Sequence, residues 1–116
     1  MMDVLTVKAR YLQDEVPVRL GGLAANLSRI RSFSHKNANQ DAVHNLIVES
    51  KYFIEWTAQE TETVVAEQLV DLQVQLARWQ YSWDQVWGNP DQRHDLSEEA
   101  GSWSRRVLEL SGLLKE

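Results

Sequence analysis

The stretch Val65-Ala-Glu-Gln-Leu69-Val-Asp-Leu72-Gln-Val-Gln-Leu76-Ala-Arg-Trp79-Gln-Tyr-Ser-Trp83-Asp-Gln-Val86 decides the fold class. Its apolar residues Val65, Leu69, Leu72, Leu76, Trp79, Trp83 and Val86 recur at alternating steps of four and three. That spacing lines one side of an α-helix with a continuous apolar seam. Beyond Gly88, the residues Leu96, Ala100, Trp103, Val107, Leu110 and Leu114 repeat the rhythm. Two seams joined by a short turn predict two long antiparallel helices lying side by side at the shallow angle of helical bundles. Counting outward from the turn places Trp103 near Leu76 and Trp79.

Around this pair the punctuation is readable. In Asn89-Pro90-Asp91-Gln92, Asn89 is an N-cap and Pro90 fills the first helical position. Asp91 faces the positive helix end, and Gln92 completes a capping box. The last helix is expected to run to about residue 113. Upstream, Thr57-Ala58-Gln59-Glu60 also matches a capping box, predicting a break there. The alternative is one continuous helix through residue 87. A third helix is expected over 40–56, with Val43, Leu46, Ile47, Phe53 and Ile54 as its face and Asn39 as its cap. A second, over 18–34, carries Leu20, Leu23, Leu27 and Ile30. Its small residues Gly21-Gly22 and Ala24-Ala25 leave room for another helix to approach closely. Residues 3–16 fit both a strand alternation and a helical face. A lone strand leaves its backbone groups unpaired, so the expectation is a short helix capped by Asp3 and ended by Pro17. The result is one all-α domain over 1–116: a mostly antiparallel bundle of four main helices plus a short N-terminal helix.

A chain of 116 residues, 43% hydrophobic and 25% charged, is long enough for a real core. It has no cysteine, which excludes disulfides, thiolate metal sites and cysteine nucleophiles. No stretch reaches the roughly 20 apolar residues of a membrane span. Met1-Met2-Asp3 opens no apolar signal core, so the expected location is cytoplasmic. Net charge is −5, spread as +3 over 1–36, −9 over 37–100 and +1 over 101–116. An acidic middle disfavours binding to the phosphate backbone of nucleic acids. Neither a nucleic-acid nor a membrane partner is expected.

Several constellations bear on chemistry. Trp79, Trp83 and Trp103 fall on the seams and are expected in the core. Trp87, at a helix end, and Trp56, beside a turn, are the better candidates for an exposed partner contact. Asp41-Ala-Val-His44 and Asp91-Gln-Arg-His94 each put a carboxylate and an imidazole on one helical turn, as di-iron bundles do, but capping explains both aspartates. No Gly-rich phosphate loop or Gly-x-Ser-x-Gly elbow is present, and no cofactor is expected.

Three resemblances add to this reading. Arg29-Ile-Arg-Ser-Phe-Ser-His35 resembles the Arg-x4–6-His motif of HEPN-domain ribonucleases, although Ile30 stands where that family has a polar residue. Glu67-Gln68-Leu69-Val70-Asp71 resembles the Glu-Glu-Leu-Gly-Asp segment of MazG-type all-α nucleotide pyrophosphatases. That resemblance implies Mg2+ held by Glu67 and Asp71, with Glu49 from the preceding helix, although Gln68 replaces an acid and the upstream Glu-x-x-Glu is missing. Finally, 29–34, 49–57 and 103–114 resemble small all-helical cyanobacterial proteins, which implies no site residues. The function expected is a non-catalytic interaction or oligomerisation module whose partner is itself, as a homodimer, or another protein. The alternative is a divergent Mg2+-dependent pyrophosphatase.

Overall fold

Asn89 does what its position predicts. In the computed structural model, which describes residues 3–114, its Oδ1 accepts hydrogen bonds from the backbone N–H of Asp91 at 3.0 Å and of Gln92 at 3.2 Å. Six α-helices follow in order: α1 (Val4–Tyr11), α2 (Val16–Phe33), α3 (Gln40–Thr57), α4 (Thr63–Tyr81), α5 (Trp83–Gly88) and α6 (Pro90–Ser111). Short 3-10 turns at Asn37–Asn39 and Ala58–Glu60 flank α3. No strand occurs among the described residues, and no helix among them is long and apolar enough to cross a membrane.

Asp3 caps α1 as expected, its carboxylate accepting from the Thr6 N–H and hydroxyl. Other boundaries differ from expectation. Pro17 does not end α1. It sits in the first turn of α2, where its missing N–H has no helical partner to lose. Asn39 makes no cap bond, and its amide donates to the Phe33 carbonyl at 3.0 Å instead. The chain does break after Thr57, but not through a capping box. Thr57 is buried in the last turn of α3, and Glu60 is drawn away to Arg19, with a Nη1–Oε2 distance of 2.6 Å. The helix expected to run to Gly88 is interrupted at Ser82, where the backbone leaves helical geometry (φ −106°, ψ 31°). Gly112 ends α6 in the left-handed region (φ 79°), a conformation that favours glycine, so the last seam residue, Leu114, is exposed beyond the helix.

The larger correction concerns which helices pair. The two heptad seams do not lie against each other. The main partner of α6 is α2, while α4 packs chiefly on α3 and meets α6 only sparsely. The helices therefore follow one another as α4, α3, α2, α6, each antiparallel to the next. The close approach of α6 to α2 has a visible cause. Ser97 Oγ donates to the Arg31 carbonyl at 2.9 Å, and Ser104 Oγ donates to the Ala24 carbonyl at 2.8 Å. Between them, a Cβ on Gly101 would stand 2.7 Å from Arg31 Cδ, so only glycine leaves the arginine stem its place. On the other side, Gly21 faces Leu113. The small residues of α2 thus admit a neighbouring helix, as their sequence suggests.

Inside this frame Leu23, Leu27, Ile30, Val43, Ile47, Leu69, Leu72, Leu76, Leu96 and Val107 are sealed from solvent. Burying each large aliphatic side chain contributes about 1.5–3 kcal/mol. Trp79 joins the core, whereas Trp83 and Trp103 are half-buried at its margin.

Candidate functional site

Trp56 and Trp87 are not exposed. They retain 8% and 2% of their accessible surface. Helix α1 folds back over the end of α3, so Trp56 lies among Tyr11, Tyr52 and Phe53, with Lys8 Nζ 6.0 Å from its ring. Tyr11 stacks on Phe53 at 3.9 Å and donates its hydroxyl to the Arg19 carbonyl at 2.7 Å. Burial pushes the Tyr11 phenol up to a pKa of about 12. Trp87 turns under the α2–α3 connection, beside Trp83 and beneath the Arg93 guanidinium. Position at a helix end or beside a turn does not expose a side chain when another element closes over it.

The carboxylates of the metal reading are not assembled. Glu67 and Asp71 lie one turn apart at the exposed surface of α4, lining a shallow cleft with Ala58, Gln59 and Val70. Glu49 lines different clefts, and its Oε1 accepts from Asn26 Nδ2 at 3.0 Å. Among the described residues, no group of three or more His, Asp or Glu side chains is placed to hold a metal ion. His44 packs its ring 5.5 Å from Trp83, and His94 reaches Glu98 at 3.9 Å, so neither Asp-x-x-His pair leads to a shared ligand set. Arg29 donates to Asn26 Oδ1 at 3.2 Å, and His35 is exposed.

What the structure does bring together is a second apolar row on α4. Leu69, Leu72, Leu76 and Trp79 face the core. Val70, Val74, Ala77 and Tyr81, spaced four, three and four, lie about 150° around the same helix at 100° per residue. Val70 is 55% exposed, Val74 45% and Tyr81 93%. Ala77 is half-covered. One edge of this row carries Asp71 and Arg78, both exposed. Neither side chain makes a hydrogen bond or ion pair among the described residues. The other edge carries Gln73 and Gln80, which border a cleft with α3, where Gln80 Oε1 accepts from Lys51 Nζ at 2.7 Å.

No family model, curated protein or solved structure matches this chain.

The outer row therefore stands on geometry alone. Its signal is present in the sequence as Val70-x3-Val74-x2-Ala77-x3-Tyr81. It is easily missed, because the stronger seam on the same helix accounts for the amphipathic pattern and leaves the opposite side to be read as solvated. Single exposed apolar residues are ordinary. A row at heptad spacing, opposite a filled core seam, is the feature that pairing helices share.

Proposed function

We propose that this protein is a non-catalytic interaction module that pairs with a second copy of itself through the outer face of α4. The observation that carries the reading is the exposed row Val70, Val74, Ala77 and Tyr81, set back to back with the core seam of the same helix. A nearly bare tyrosine among valines suits an interface, because it adds a large rigid contact area at low entropic cost.

The choice of a second copy follows from the edge of that row. Asp71 and Arg78 put one charge of each sign on the same border of the face. In an isologous contact the same patch meets itself, so a patch holding both signs is able to satisfy itself. The net charge of −9 over 37–100 supports a protein partner over a nucleic acid.

Light scattering coupled to size-exclusion chromatography tests this over a range from micromolar to millimolar chain. The expected mass is twice 13.4 kDa at high concentration. Val74→Glu, a change on the exposed side, is expected to return the 13.4 kDa species with unchanged helical circular dichroism. A wild-type protein that stays at the monomer mass throughout would overturn the proposal.

A further inference from the structure

We infer that the two copies meet with their α4 helices antiparallel, so that Asp71 of each chain faces the partner's Arg78. This rests on the α4 pairing proposed above and adds its orientation and register.

The argument begins with the heptad. If Val70 and Ala77 take the d positions, Val74 and Tyr81 take the a positions. Asp71 and Arg78 then occupy e, and Gln73 and Gln80 occupy g. In a parallel pair, e positions face g positions of the other helix. Asp71 and Arg78 would then meet glutamine or alanine, and neither charge would find its opposite. In an antiparallel pair, e faces e. With Val70 set against the partner's Tyr81, and Val74 against the partner's Ala77, Asp71 falls beside the partner's Arg78 at both ends of the contact. Within one chain the two are separated by about 10 Å of helix rise, too far for a direct pair.

Glu67 selects against the alternatives. It continues the row upstream of Val70, at an a position. A parallel pair would bring Glu67 onto the partner's Glu67 inside the seam, a like-charge contact. Sliding the antiparallel pair by one heptad, so that Val70 meets the partner's Val74, would bring Asp71 onto the partner's Asp71. In the favoured register, Glu67 comes level with the partner's Asp84, outside the α4 seam and past Ser82, where the backbone leaves helical geometry, so this acid pair lies at the open end of the contact and not inside it.

Side-chain size points the same way. Like-with-like pairing puts two tyrosines in one layer and two alanines in the next. The antiparallel register puts alanine against valine in the two central layers and tyrosine against valine at the two ends. The axes can then approach at the centre while the rings of Tyr81 close each end.

Charge exchange tests this on the full chain. Dimer dissociation constants are measured by sedimentation for the wild type, Asp71→Arg, Arg78→Asp, the double variant and Val74→Glu. Folding of each is checked by circular dichroism. Each single charge variant places two like-charge contacts in the dimer and is expected to dissociate about tenfold more readily. The double variant restores both pairs with the charges exchanged and is expected within about twofold of wild type. If the double variant stays as weak as the single ones while Val74→Glu still abolishes the dimer, the antiparallel register is wrong and the α4 face stands. If Val74→Glu leaves the dimer intact, the face itself is wrong, and the register falls with it.

Discussion

The indole N–H of Trp87 donates to the backbone carbonyl of Asn37 at 3.1 Å, joining two residues 50 positions apart. Arg93 locks the same corner. Its Nη1 donates to Asn37 Oδ1 at 2.8 Å and lies within 3.3 Å of the Trp87 carbonyl, with the guanidinium 5.3 Å from the Trp87 ring. The α2–α3 connection is thereby tied to the α5–α6 corner, and this end of the bundle is closed. Trp87→Ala should lower unfolding free energy by about 3–5 kcal/mol. Trp87→Phe, which keeps most of the ring but removes the bond to the Asn37 carbonyl, should cost about 1 kcal/mol. Urea unfolding followed by circular dichroism measures both, and wild-type stability in Trp87→Ala would contradict the corner's role.

The contact between α2 and α6 depends on the absence of a side chain at Gly101. Gly101→Leu should force Arg31 aside and part the two helices, at about 1–3 kcal/mol. Gly101→Ala is a gentler probe, because the gain in helix propensity of about 1 kcal/mol offsets the crowding of the arginine stem. Thermal unfolding of the two variants should therefore rank alanine well above leucine. Equal stability would mean that the helices do not meet there as described.

Tyr11 makes stability fall at high pH. Its folded pKa is raised to about 12 from the ordinary 10.0 by burial, so between these values the unfolded chain releases a proton that the folded chain retains. The folded state is favoured fully below pH 10 and loses this contribution as pH rises toward 12, by about 2 kcal/mol. Tyr11→Phe removes the phenol and its bond to the Arg19 carbonyl, costing about 1 kcal/mol at neutral pH. The difference between wild type and Tyr11→Phe should shrink or reverse above pH 11. A difference that stays constant from pH 7 to 11.5 would show that the phenol is not held neutral by the fold.

Pairing through α4 predicts a melting temperature that depends on protein concentration. Association stabilises the folded chain by mass action, so Tm should rise with total chain in the wild type and stay flat in Val74→Glu. Calorimetry over a hundredfold range of concentration distinguishes them.

Local signals in the chain are read correctly where the physics is local. Asp3 and Asn89 cap because their side chains need only the N–H groups two or three residues ahead. The stripe on α2 and the seam on α4 mark buried faces because periodicity is a property of one helix. Thr57 and Pro17 show where local rules compete. A capping pattern at Thr57 yields to burial of that residue in α3, and a proline that breaks one helix opens another just as well. Trp56 and Trp87 were legible as large aromatic residues near turns, but the elements that cover them, α1 and the α2–α3 connection, lie far away in sequence. Glu49, Glu67 and Asp71 were legible as acids on two helices. Whether acids converge depends on how those helices are rotated, and here Glu49 meets Asn26 while Glu67 and Asp71 line a different cleft.

By itself, then, the sequence determined that the chain is helical, where most of its helices lie and which face of each seeks the core. Those follow from propensity, capping and a 3.6-residue period, all of which act within a few residues. Only the tertiary structure decided that α6 pairs with α2 and not α4. Apolar seams are interchangeable partners, because burial has no direction. What discriminates between them is steric and polar detail at the contact: the missing side chain at Gly101, the Ser97 and Ser104 hydroxyls that reach the α2 carbonyls, and the Arg31 stem that fills the space.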